Sequence, residues 1–91
     1  MNIKIQGIPF EINYIESNLR DDERMGRVDC KLCKINICEE MPEEMKFSTL
    51  IHEIVEAIND LNELGMKHNV ISSLSMSLSE VLLDNDITRL P

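Results

Sequence analysis

The sequence predicts an α+β domain: a small N-terminal β-sheet, then a long helix that would carry the site, then a closing helix. Three observations carry that expectation. Up to about residue 41 apolar residues tend to alternate with polar ones, and the breakers Gly7, Pro9 and Gly26 fall in the same half. From Pro42 onward the apolar residues recur at helical spacing instead. The 91 residues suffice for one small domain, expected to span 1–91, and 43% hydrophobic content is enough for a core. Aromatics are only 3%, so that core must be built from Ile, Leu, Val and Met.

Ile3 and Ile5 form a short strand broken by Gly7 and Pro9, and Phe10, Ile12 and Tyr14 alternate with Glu11 and Asn13 as a second, half-buried one. The stretch Ser17 to Gly26 is polar and mixed in charge and reads as a solvated loop. Arg27–Cys30 and Lys34–Cys38 read as a hairpin turning around Lys31 and Leu32, although no Asn-Gly or Asp-Gly marks the turn. Phe47, Ile51, Ile54, Ile58 and Leu61 then form the stripe of an amphipathic helix, widened by Leu50 and Ala57. Pro42 suits its first turn, Glu43 and Glu44 suit its dipole, and Gly65 is a natural stop. In the last segment Ile71, Leu74, Leu78, Val81 and Leu82 fit a helix, while Leu74, Met76 and Leu78 alternating with serines fit a strand. Its length favours helix. Met41, Met45 and Met76 read as fillers of an aromatic-poor core, with a Met-rich binding groove as the alternative.

Charge and cysteine usage narrow the function. A formal charge of -8 argues against nucleic acid and against an anionic membrane surface, and leaves a protein or peptide partner. No apolar run reaches the ~20 residues that span a bilayer. Three cysteines, an odd number, fit a reduced compartment, so the protein is expected to be cytosolic.

The feature with the most chemistry is His52-Glu53-Ile54-Val55-Glu56 in the middle of the long helix. His52 and Glu56 lie about 40° apart around the axis, so both can reach one cation. Glu53, rotated by about 100° from His52, can stand beside the resulting water as a general base. A plainer account makes His52 a surface histidine and Glu53, Glu56, Asp60 and Glu63 a solvated face.

Ser48 to Ile58 resembles the active-site helix of zincin metallopeptidases, and more narrowly that of the small phage and mobile-element members. The closing stretch Leu78 to Asn85 is similar to the end of that family's last helix. The resemblance implies a zincin-like fold and a zinc-dependent peptidase of phage or prophage type. It also implies a departure: Glu56 stands where the family has its second metal histidine, and His68 stands near where the family offers its acidic ligand. The implied set is His52, Glu56 and His68 on zinc, with Glu53 as the catalytic base and substrate extended along an exposed strand. The alternatives are a relic that no longer binds metal, and a non-catalytic interaction module on the same scaffold. A third is a structural zinc held by Cys30, Cys33 and Cys38 with His52.

Overall fold

The computed structural model describes residues 1–16 and 25–89. It has four strands followed by two helices: β1 (Asn2–Ile5), β2 (Ile8–Ile15), β3 (Gly26–Asp29), β4 (Lys34–Cys38), α1 (Glu43–Leu61) and α2 (His68–Asp84). The class is the α+β arrangement expected, and the ambiguous last segment is a helix. Most of the loop expected over Ser17 to Gly26 lies outside the described residues, and Gly26 itself opens β3.

The strands form one mixed sheet in the order β1-β2-β4-β3. β1 and β2 make an antiparallel hairpin that pairs Ile3 with Phe10, and Gly7 turns it at φ +81°. β3 and β4 make a second antiparallel hairpin, and the two hairpins join through a parallel β2–β4 ladder running from Glu11–Lys34 to Ile15–Cys38. Pro9 therefore lies in β2 rather than ending it, two residues before the parallel ladder begins. The β3–β4 turn needs no Asn-Gly because Asp29 does the same work: its carboxylate accepts from the backbone N–H groups of Lys31 (2.9 Å) and Leu32 (3.1 Å).

Alternation decides what faces inward. Ile3, Ile5, Phe10, Ile12, Ile35 and Ile37 point to one side of the sheet, where Leu50 and Ala57 of α1 close over them. The other side is polar, with Asn13 donating to Asn36 across the parallel pair at 3.3 Å. α1 also packs against α2 through Ile51, Val55 and Ile71. The helix is thus sandwiched, with the sheet on one flank and α2 on another.

Pro42 stands at the N-cap of α1, with Glu43 and Glu44 in the first turn, where the dipole favours them. It stops earlier than Gly65. Asn62 caps it, its side chain donating to the Ile58 carbonyl at 2.8 Å, and Glu63 takes the left-handed conformation at φ +50°. Gly65 (φ +65°) serves the connection to α2, which Asn59 braces by accepting from the Met66 N–H at 2.9 Å.

The burial of α2 differs from the apolar stripe read in the sequence. Ile71, Ser75 and Ser79 face inward, whereas Leu74, Leu78 and Val81 are exposed. Two buried serines are tolerated because each hydroxyl donates to a carbonyl one turn back: Ser75 to Ile71 at 2.6 Å and Ser79 to Ser75 at 2.8 Å. With their polar atoms satisfied, the small side chains let α2 approach the α1 surface.

Candidate metal centre

A cleft of about 780 Å³ opens between α1, α2 and the first residues of β3. His52, Glu53 and Glu56 enter it from α1, and His68 enters as the first residue of α2. Helical geometry sets the first three, since one turn separates His52 from Glu56 and both sit on the side of α1 that neither the sheet nor Ile51 and Val55 occupy. The connection ending at Lys67 sets the fourth, by delivering α2 with its first side chain above that surface.

The three proposed ligands converge. One nitrogen of each imidazole and one oxygen of Glu56 all lie within 4.8 Å of one another. His52 Nε2 and Glu56 Oε1 are 3.5 Å apart. Two ligand atoms held about 2.1 Å from a tetrahedral zinc lie about 3.4 Å from each other, so this pair already has the required spacing. The two imidazole rings meet edge to face with centroids 5.7 Å apart, and the Ser72 hydroxyl lies 3.4 Å from His68 Nε2, one turn along α2. Two imidazoles and one carboxylate are a chemically suitable donor set for zinc. His52 and Glu56 are half-buried and His68 is exposed.

Glu53 is only 4% exposed although it lines the same cleft. It is therefore not part of a solvated face. Gly26 makes its position possible: a Cβ there would meet the Thr49 methyl at 2.6 Å and Glu53 Oε2 at 3.2 Å. The backbone of β3 thus lies directly against the α1 surface that carries Thr49 and Glu53, and no side chain fits between them. Gly26→Ala is expected to cost about 1–3 kcal/mol by overpacking, with Thr49→Ser recovering much of the loss, as read from urea denaturation of the single and double variants. The sequence marked Gly26 as a breaker; its use here is close approach.

The cysteines do not assemble a competing site. Among the described residues, the one converging group of three or more potential ligands is His52, Glu56 and His68, and no cysteine joins it. Cys33, in the turn at φ +55°, donates to the Cys30 carbonyl, and Cys30 lies 3.9 Å from Asp60 at the far end of α1. Burial, followed by the nearby Asp60 carboxylate, pushes the Cys30 thiol above its ordinary range. Cys38 is buried in β4.

For Met41, Met45 and Met76 the sequence put core filling first and a Met-rich groove second, and it missed the serine side of α2. Met45 and Met76 are exposed at the cleft with Met25, whereas Met41 packs against the core, as Met66 does between the helices. Ser72, Ser75 and Ser79 form the α2 wall, and their spacing of three and four was the available signal.

No protein-family model, curated protein or solved structure matches this chain.

Proposed function

We propose that this is a small zinc-binding protein of metallopeptidase type, in which His52, Glu56 and His68 hold the ion and Glu53 is the general base. The observation that carries this reading is the convergence of three ligand atoms from two helices at one end of a cleft. The resemblance of the α1 sequence to zincins supports the same reading. A divalent ion on these side chains would supply Lewis acidity, polarising a carbonyl and bringing the pKa of a water toward neutrality.

The chain's own residues supply the rest. Glu53, one residue after His52, is buried enough to keep a carboxylate dry and lines the cleft where a proton must be taken up. The Ser72 hydroxyl, 3.4 Å from His68 Nε2, is placed to help orient that ring. β3 is an edge of the sheet and begins at the cleft, so an extended peptide can add to it through backbone hydrogen bonds and run past Glu53. The exposed Met25, Met45 and Met76 offer adaptable apolar contacts for side chains of that peptide.

The test is elemental analysis of untagged protein beside a peptide-hydrolysis screen. About one zinc per chain is expected, lost in His52→Ala and in His68→Ala and kept in a Cys30→Ser/Cys33→Ser pair. Glu53→Gln is expected to retain the zinc and lose roughly 10²–10⁴ in hydrolysis. No zinc in the wild type after loading would overturn the reading. A second reading, a metal-holding module that captures a peptide without cutting it, is favoured by the methionine rim. It predicts that wild type and Glu53→Gln hold zinc alike and neither hydrolyses peptides.

A further inference from the structure

We propose that the chain forms a two-fold symmetric homodimer through the outer face of α2, with the two α2 helices antiparallel. This does not depend on what the cleft does. Val70, Leu74, Leu78 and Val81 are 45%, 49%, 41% and 55% exposed, and their spacing of four, four and three puts them on one stripe of the helix. Counting around the axis, that stripe lies on roughly the opposite side of α2 from Ser72, Met76 and Ser79, which face the cleft. A partner on the stripe therefore leaves the candidate metal centre open.

Two features identify the occupant as a second copy. The first is that the stripe is nearly palindromic. A two-fold axis crossing α2 between Ser75 and Met76 sets Val70 level with Val81 of the second copy, and Leu74 level with Leu78 to within one residue. Each apolar side chain then meets another, as a self-complementary interface requires. Although the chain carries a net charge of -8, none of its acidic residues falls within the stripe.

The second feature is the charge along α2. The helix has no acidic residue in its first turn and no basic residue in its last. Lys67 precedes it, and Glu80, Asp84 and Asp86 gather toward its C-terminal end. In an isolated helix this arrangement works against the dipole at both ends. In an antiparallel pair, Lys67 of one copy comes level with Asp84 of the other, and each positive helix end lies beside a negative one. What is unfavourable within one chain becomes complementary between two.

Sedimentation equilibrium of the full chain at micromolar concentration tests this. The expected mass is twice the 10.5 kDa of the chain. Leu74→Glu is expected to weaken association by roughly 100-fold or more, because symmetry removes two leucines from each interface. Its circular dichroism should match the wild type, since Leu74 is exposed in the single chain. Lys67→Glu is expected to weaken the dimer, and Lys67→Glu combined with Asp84→Lys to restore it. A wild type of 10.5 kDa would overturn the proposal, and so would a dimer that persists in Leu74→Glu. A double charge reversal that fails to restore association would overturn the antiparallel register.

Discussion

Zinc at a hundred times its dissociation constant is expected to raise the melting temperature of the wild-type chain by roughly 10–20 °C, and His52→Ala is expected to abolish that rise. The size follows from linkage. A ligand that binds only the folded chain at that excess stabilises it by about 2.7 kcal/mol, and in a domain of this length each kcal/mol moves the midpoint by about 4–8 °C. Both imidazoles must be neutral to bind, so the rise should shrink as the solution is acidified. The readout needs no substrate and separates metal binding from hydrolysis. A melting temperature that zinc leaves unmoved would remove the basis for the candidate centre.

Phe10→Ala is expected to cost about 3–5 kcal/mol. Among the described residues, Phe10, Ile35 and Ile37 are the largest side chains that are fully buried, and all three sit where α1 crosses the two central strands. A domain of this size holds about 5–14 kcal/mol in total, so one truncation removes a large fraction of it. Urea denaturation should show the midpoint lowered by about 1 M or more with the slope unchanged. An effect below about 1 kcal/mol would mean that the aromatic-poor core collapses around the cavity more freely than its packing implies.

The strands and α1 were legible because each buries one face. Ile3 and Ile5, then Phe10 and Ile12, then Ile35 and Ile37, declare a sheet with a single core side, and Leu50, Ile51 and Ala57 declare a helix lying against something. The order of strands was not legible, because the parallel β2–β4 pairing joins two hairpins across more than twenty residues, and no local residue encodes a pairing at that separation. The α2 stripe misled for a physical reason. Periodicity reports which side of a helix is apolar, and a helix with one apolar and one serine-rich side has two surfaces able to pack. The serines bury themselves through their own backbone, which leaves the leucines outside.

At the candidate centre, the spacing of His52, Glu53 and Glu56 was readable from one turn of helix. His68 came from the resemblance and not from spacing, since its position depends on the connection from Asn62 to Lys67. The burial of Glu53 was not readable either, because it arises where Gly26 brings a distant strand against the helix.

All three proposed ligands lie within the α1–α2 hairpin, with eleven residues between Glu56 and His68. Closing so short a loop costs little chain entropy, and contacts this local form quickly. The sheet, by contrast, must bring β2 and β4 together from more than twenty residues apart. The centre can therefore assemble before the sheet does. An ion present while the full chain refolds would clamp its second half into a helical pair on which the four strands then condense.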